Sequence, residues 1–233
     1  MKDTIDFSVF EKKIGITFQD KGLLREAFTH RSYINENKKS GYSHNERLEF
    51  LGDAVLELVI TVFLFKKYPD ETEGALTSYR AALVNTISIS EAAQELGMGD
   101  FLLLSRGEAR DMGKARQYIL ANTFEAMIGA IYLDQGFDIA KTFIANSLFA
   151  KTDEIVKKGL WRDPKSTFQE KAQERVGITP SYLVIDEHGP DHEKEFTVGV
   201  FLGDEQVAEA VGRSKQEAEQ GAAERALATK GWA

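Results

Sequence analysis

An otherwise apolar stretch of the sequence carries four acidic residues at helical spacing: Glu46, Glu49, Asp53 and Glu57. At about 100° per residue, these side chains fall within one strip that is roughly 80° wide on the helix surface. The rest of the circumference is apolar, which predicts a helix that is buried on nearly every side. Because an unpaired carboxylate is costly to bury, we expect something cationic to lie against the strip.

A second predicted helix offers oxygen atoms that could complete a cation site. Asn122 and Glu125 are three residues apart and share one face of this helix, where Gly129 would let another helix approach closely. Together with Glu49 and Asp53 they would form an all-oxygen site, which favours Mg²⁺ that keeps water molecules and takes further ligands from a phosphate. Such a site can activate water for phosphodiester hydrolysis.

Structural ion pairs are the alternative explanation of the acidic strip. Arg47, Arg80 and Lys66 are the cations that could neutralise it. Networks of ion pairs also tolerate acidic strips on packed helices and also shift pKa values. Helical periodicity alone therefore leaves the metal site and the ion-pair network equally open.

The elements that must position these residues are helices up to about residue 157. Apolar residues recur at helical spacing, and no strand-like alternation persists. Ser43 followed by Glu46 fits a capping box, which predicts the start of the acidic helix. The predicted helices cover residues 7–14, 21–29, 44–67, 74–95, 117–134 and 137–157.

The end of the chain has a different pattern. A helix over residues 165–176, with Pro164 at its first position, precedes three alternating stretches at 181–187, 194–202 and 205–211, and a helix over 214–230 follows. This α-β-β-β-α order predicts a sheet with both helices on one face. We therefore expect a multidomain protein, with an all-α domain over residues 1–157, a linker over 158–163 and a small α+β domain over 164–233.

The composition excludes several classes of protein. Of the 233 residues, 42% are hydrophobic and none is cysteine, so we expect a packed core and exclude a disulfide scaffold, a thiolate zinc site and a cysteine nucleophile. The first residues do not resemble a signal peptide, and acidic residues interrupt the longest apolar stretch, so we predict a cytoplasmic protein without membrane contact. The net charge of −8 argues against binding nucleic acid over the whole surface.

Residues 44–56, His-Asn-Glu-Arg-Leu-Glu-Phe-Leu-Gly-Asp-Ala-Val-Leu, resemble the signature of the ribonuclease III family of double-strand-specific endoribonucleases. The stretches at 27–33 and 123–134 add to this resemblance, which extends over nearly the whole chain. It implies a nuclease domain followed by an RNA-binding domain. It also implies a homodimer that cuts both strands of duplex RNA, leaves 5′-phosphate and 3′-hydroxyl ends, and processes ribosomal and other structured RNA.

The resemblance also assigns roles to individual residues. Glu49 and Asp53 match metal-binding acids, and Glu125 matches the catalytic glutamate. Glu46 matches the first acid of the signature, and Glu73 matches an acid near the cleavage site. Phe50 matches an aromatic residue of the dimer interface. The implied catalytic set is therefore Asp53, Glu125, Glu46 and Glu73. The implied cofactor is Mg²⁺, which Mn²⁺ could replace, with no small-molecule cofactor.

Asn122 departs from the family pattern, in which aspartate is the commonest residue. Asparagine keeps a carbonyl oxygen as a ligand but loses one negative charge. We expect this change to slow the reaction rather than abolish it. The alternative is a protein that binds duplex RNA but is impaired in cleavage.

The α-β-β-β-α segment resembles the double-stranded RNA-binding domain, which reads the shape of A-form RNA. The residues that match its RNA contacts are Thr167, Gln169 and Glu170 in the first helix, Pro190 and His192 in the first hairpin loop, and Arg213, Ser214 and Lys215 before the last helix. Residues 162–233 contain 9 basic and 14 acidic residues, a net charge of 9 − 14 = −5. RNA must therefore bind to a local basic face around Lys165, Arg213 and Lys215, and this predicts fairly weak, salt-sensitive binding.

Overall fold

The computed structural model of the protein describes residues 5–38, 41–110, 113–159, 161, 163–190 and 194–232. The chain folds into two compact units, Met1–Trp161 and Arg162–Ala233. Trp161, which lies in the predicted linker, packs edge-on against Tyr79 with 4.9 Å between the ring centroids. Trp161 of the predicted linker thus packs with the first unit.

The first unit is built from helices. Its α-helices are α1 (Ser8–Ile14), α2 (Lys21–Ala27), α3 (Arg31–Glu36), α4 (Glu46–Lys67), α5 (Glu73–Leu83), α6 (Thr86–Glu95), α7 (Lys114–Gln135), α8 (Phe137–Leu148) and α9 (Thr152–Lys157). Short 3-10 helices lie at Met98–Phe101, Glu108–Arg110 and Phe149–Lys151. The predicted all-α architecture of this unit is confirmed.

Two of the predicted helices are each divided in the structure. Residues 74–95 form α5 and α6, because Asn85 adopts an extended conformation and its side chain accepts a hydrogen bond from the Ser88 amide, which caps a new helix. Residues 137–157 form α8 and α9 with the 3-10 turn between them, where Phe149 stacks on Phe63 with 3.6 Å between ring centroids. The apolar periodicity continues through both places, but a helix cap at Asn85 and a tertiary contact at Phe149 interrupt the helix.

Two further predictions about the helices are wrong. Helix α3 was not expected, and it begins where the His30 side chain accepts a hydrogen bond from the Ser32 amide. The cap of α4 is Asn45 rather than Ser43, so the capping box with Glu46 does not form. Asn45 is buried, and its side-chain amide donates to the backbone carbonyl of Ala27, so a tertiary contact determines where this helix starts.

The core of the first unit surrounds α4 and α7. Leu56 and Ile60 of α4 and Phe124 and Ile128 of α7 are fully buried, and the side chains of the other helices pack around them. The two long helices that carry the predicted chemistry are therefore also the two central helices of the fold.

The second unit is a three-stranded antiparallel sheet with two helices. The strands β1 (Ser181–His188), β2 (Glu195–Leu202) and β3 (Glu205–Gly212) are ordered β1-β2-β3, and the helices are α10 (Pro164–Val176) and α11 (Lys215–Lys230). Phe168 of α10, Val200 of β2 and Ala223 of α11 are fully buried in one core. The predicted multidomain class and the packing of both helices on one face of the sheet are confirmed. No helix in the described ranges has the length and apolar character needed to cross a membrane.

Candidate active site

Two glycines bring α4 and α7 into backbone contact. A Cβ atom added to Gly52 would overlap the carbonyl oxygen of Glu125, and one added to Gly129 would overlap the carbonyl oxygen of Leu48. Only residues without a side chain permit this approach. The close contact brings the acidic face of α4 against the face of α7 that carries Asn122 and Glu125.

Four polar side chains meet along this contact: Glu49, Asp53, Asn122 and Glu125. We call these four residues the acidic site. Asp53 is exposed, and the other three are partly buried. The side chain of Asn122 hydrogen-bonds to the carboxylate of Glu49, so the amide NH₂ is the donor and the amide oxygen stays open to another partner.

Burial and neighbouring carboxylates disfavour the ionisation of Glu49 and Glu125. Burial, followed by the charges of Asp53, Glu49 and Glu57, raises the pKa of Glu125 to about 7. Burial and the neighbouring Glu46 also raise the pKa of Glu49, which the hydrogen bond from Asn122 opposes. A carboxyl group whose pKa lies near neutrality in a cluster of like charges is typical of a functional site.

Ion pairs neutralise only the two ends of the acidic strip. Arg31 contacts Glu46 at 3.3 Å, with His44 at 3.7 Å, and Arg80 contacts Glu57 at 2.9 Å. Within the described part of the chain, no lysine, arginine or histidine nitrogen lies within 4.0 Å of a carboxylate oxygen of the acidic site. Structural ion pairs therefore explain the ends of the strip but not its centre.

The donor set of the acidic site suits a hard divalent cation. It offers carboxylate oxygens and one amide oxygen, which are partly exposed, and no described residue supplies a compensating positive charge within 4.0 Å. Across the described ranges, no three histidine or acidic side chains are arranged to hold an ion by themselves. An ion bound here would take its remaining ligands from water or phosphate, as Mg²⁺ commonly does.

Glu46 and Glu73 lie outside the acidic site. Glu46 stands at the first turn of α4 in its pair with Arg31. Glu73 begins α5, accepts a hydrogen bond from the Thr77 hydroxyl at 3.2 Å, and lines a cavity of about 410 Å³ together with Arg80. The two predicted catalytic residues Glu46 and Glu73 are therefore not among the four residues of the acidic site.

The expectation that α4 is buried on nearly every side is wrong. Phe50 is 82% exposed and Phe65 is 70% exposed, and Leu58 and Val62 are also open to solvent. Phe50 lies at a cavity of about 560 Å³ whose lining includes Leu133. An exposed row of large apolar side chains on a central helix is typical of an interaction surface.

The second unit positions most of the predicted RNA contacts on its surface. Gln169 and Glu170 are exposed and Thr167 is half-buried on α10, while Pro190 is exposed after β1. Arg213 and Ser214 directly precede α11, which begins at Lys215, and all three are exposed. His192 lies outside the described residues.

The start of α11 is capped by its own side chains. The Ser214 hydroxyl accepts from the Glu217 amide at 3.1 Å, and the Glu217 carboxylate accepts from the Arg213 amide at 2.9 Å. This capping box occupies two backbone N–H groups of a helix N-terminus, where such groups can otherwise bind phosphate. The cationic side chains exposed at this helix end are those of Arg213 and Lys215.

Sequence reasoning missed the carboxylates that pair with the predicted basic face. Lys165 contacts Glu219 at 2.6 Å, and Lys215 contacts Glu187 at 3.3 Å. Glu187 also contacts Lys194 at 2.6 Å. One sequence feature could have indicated the pair of Glu187 and Lys194: the two residues stand on either side of one predicted hairpin loop.

Comparison with known proteins gives the same division of the chain. Residues 20–152 match the Ribonuclease-III-like family model, and residues 164–230 match the double-stranded RNA binding motif. The chain is 47% identical over 223 residues to Ribonuclease 3 of Geobacillus thermodenitrificans, covering 96% of this chain and 90% of that protein. It is 45% identical over 218 residues to Ribonuclease 3 of a Nitratiruptor species, covering 94% of each.

A solved structure is similar to the first unit. The nuclease domain of ribonuclease III from Campylobacter jejuni, described for flexibility in a region involved in dimer formation, aligns with a TM-score of 0.55 and 44% identity. The alignment covers 61% of this chain and 98% of that domain.

Proposed function

The chain belongs to the ribonuclease III family of double-strand-specific endoribonucleases, and we propose that it hydrolyses duplex RNA with water activated at the acidic site. The cut would leave 5′-phosphate and 3′-hydroxyl ends. The observation that carries this proposal is the meeting of Glu49, Asp53 and Glu125 with no cationic side chain of the described residues beside them. Such an arrangement is electrostatically unfavourable unless a cation joins it.

Glu49, Asp53, Asn122 and Glu125 would hold a divalent metal ion, Mg²⁺ or in its place Mn²⁺. When bound, the ion would supply Lewis acidity and lower the pKa of a water molecule. Asn122 orients Glu49 through its hydrogen bond. Without the ion, the pKa of Glu125 is raised to about 7, and a bound cation would stabilise its ionised form. Asp53 is exposed, so its carboxylate is accessible to an ion from solvent.

Glu46 and Glu73 would act at the edge of the cleavage site. Both carboxylates are exposed and lie near arginines, Arg31 beside Glu46 and Arg80 in the cavity that Glu73 lines. Carboxylate–arginine pairs at such positions can hold an RNA backbone through the arginine while the acid sets its orientation.

The second unit would bind the duplex by shape. The proposed contacts are Thr167, Gln169 and Glu170 of α10, Pro190 and His192 of the loop after β1, and Arg213, Ser214 and Lys215 at the start of α11. The match to the double-stranded RNA binding motif supports this surface. Since such domains contact 2′-hydroxyls and phosphates, the protein would select duplex RNA over DNA with little sequence preference.

Two copies of the chain would cut the two strands. Phe50 is 82% exposed beside a cavity of about 560 Å³, and its burial against a second copy would remove a large apolar side chain from water. Each copy would contribute one acidic site. We propose that the homodimer acts in the cytoplasm on ribosomal and other structured RNA.

Asn122 supports a second candidate function, a duplex-RNA binder with impaired cleavage. The test is incubation of the chain with a long RNA duplex, with and without Mg²⁺, and with single-stranded RNA as the control substrate. We expect cleavage of the duplex only, and only with Mg²⁺. Binding of the duplex without any cleavage would favour the second candidate.

A further inference from the structure

One carboxylate in the second unit is shared by two lysines from different parts of the chain. Glu187, near the end of β1, accepts from Lys194 at 2.6 Å through one oxygen and from Lys215 at 3.3 Å through the other. The hydrogen bonds from Lys194 and then Lys215 lower the pKa of Glu187, so its carboxylate is ionised at neutral pH.

Phe196 completes this cluster. It is the cross-strand neighbour of Glu187, and the Lys194 and Lys215 ammonium groups lie 5.5 Å and 5.4 Å from the centre of its ring. An aromatic ring face attracts cations. Two ammonium groups, which would otherwise repel each other, are thus held beside one carboxylate and one ring.

The cluster joins two surfaces that are proposed to contact RNA. Lys194 follows the loop that contains Pro190, and Lys215 is the first residue of α11. Taken by themselves, the Lys194, Lys215 and Glu187 side chains carry a charge of +1. The Lys194 and Lys215 side chains are 35% and 56% exposed, and ion pairs that are this exposed contribute little to folding stability. A phosphate could therefore exchange with the carboxylate at small cost to the fold.

We propose that Lys194 and Lys215 form a phosphate-binding pair for the RNA backbone, and that Glu187 is a built-in competitor that RNA must displace. This inference rests on the proposed binding of duplex RNA and adds two residues to it, Lys194 and Glu187. Residues 162–233 carry a net charge of −5, and Glu187 is one of the acids that contribute to it. Competition from Glu187 would keep the affinity for RNA low enough for release of the duplex. The same carboxylate would hold the two lysines together where the phosphate binds.

The test uses the full chain and a fluorescent RNA duplex of about 16 base pairs or more, in EDTA so that the strands stay intact. Anisotropy titrations over a range of KCl concentrations compare the unmodified chain with Glu187→Gln. We expect Glu187→Gln to bind about threefold to fivefold more tightly at low salt and to steepen the salt dependence by about one unit. The double variant Glu187→Gln/Lys194→Gln should lose this gain.

The matched control is Glu205→Gln. Glu205 pairs with Lys230 at 2.8 Å and lies opposite Leu202, at the other end of β2 from Glu187. Its substitution removes the same charge and the same kind of ion pair, so we expect less than about a twofold change in affinity. A Glu187→Gln variant that binds no more tightly than Glu205→Gln overturns the proposal, as does a gain that persists without Lys194.

A second comparison does not depend on Glu187. Lys194→Gln alone should weaken binding about threefold, whereas Lys230→Gln should not; equal effects would contradict the role of Lys194. Thermal unfolding of each variant verifies its fold. If the unmodified chain binds no duplex at all, the proposed function fails instead, so the two failures are distinguishable.

Discussion

Gly52 of α4 packs directly on the backbone carbonyl of Glu125 in α7. The residue that allows the two central helices to touch thus lies between Glu49 and Asp53 in sequence and against Glu125 in space. The packing of the core and the assembly of the acidic site therefore depend on the same helix contact.

Gly52→Ala should destabilise the nuclease unit. The added Cβ would overlap backbone rather than a movable side chain, so the helices must separate, at a cost of about 1–3 kcal/mol. Gly74→Ala is the control, because nothing lies within 4 Å of its added Cβ; it should be neutral or stabilising by up to about 1 kcal/mol. Urea unfolding of both variants measures this, and equal stabilities would contradict the packing argument.

Glu125→Gln should abolish cleavage yet stabilise the metal-free protein above pH 7. The folded pKa of Glu125 is raised to about 7 from the ordinary 4.5, so the folded state holds a proton that the unfolded state releases. Its contribution to stability is present below pH 4.5 and is lost as the pH rises through about 7. Allowing for solvent screening, we expect a gain of about 1–2 kcal/mol.

The measurement is thermal or urea unfolding in EDTA across this pH window. Stability of the unmodified chain should fall more steeply between these pH values than that of Glu125→Gln. Parallel curves for the two proteins would show that Glu125 does not titrate as the carboxylate cluster requires.

Asn122→Asp should cleave duplex RNA faster than the unmodified chain by less than about tenfold, a barrier change under about 1.4 kcal/mol. The aspartate adds a charge that binds a cation but loses the amide donor to Glu49. Single-turnover cleavage with Mg²⁺ measures the difference. If the aspartate variant cleaves and the unmodified chain does not, this protein is a duplex-RNA binder rather than a nuclease.

Phe50→Ala should weaken self-association. Truncating a large apolar residue at the centre of an interface commonly costs about 2 kcal/mol or more, roughly a 30-fold change in Kd. Ile87→Ala is the control, since Ile87 is 58% exposed on α6, away from the Phe50 cavity. Light scattering over a concentration series measures the oligomeric state, and a monomeric unmodified chain would contradict the homodimer.

Much of the fold follows from local patterns. The α-β-β-β-α unit was predicted because each of its signals, namely the period-two alternation, the turn residues and the Pro164 helix start, depends only on residues that are close together in the chain. The breaks near Asn85 and Phe149 were missed, since the apolar residues on both sides keep helical spacing. Asn45, and not the capping-box serine, starts α4, because its amide reaches the distant carbonyl of Ala27.

The sequence by itself determined which residues could perform the chemistry: periodicity placed the α4 acids on one strip, and the i, i+3 spacing placed Asn122 beside Glu125. Only the tertiary structure decided which charges are compensated. Arg80 and Arg31 neutralise the ends of the strip and leave its centre without a cation among the described residues, while Glu187 and Glu219 pair with lysines that appeared free for RNA. Ion pairs join residues that are far apart in the chain, and helical or strand periodicity carries no information about such distances.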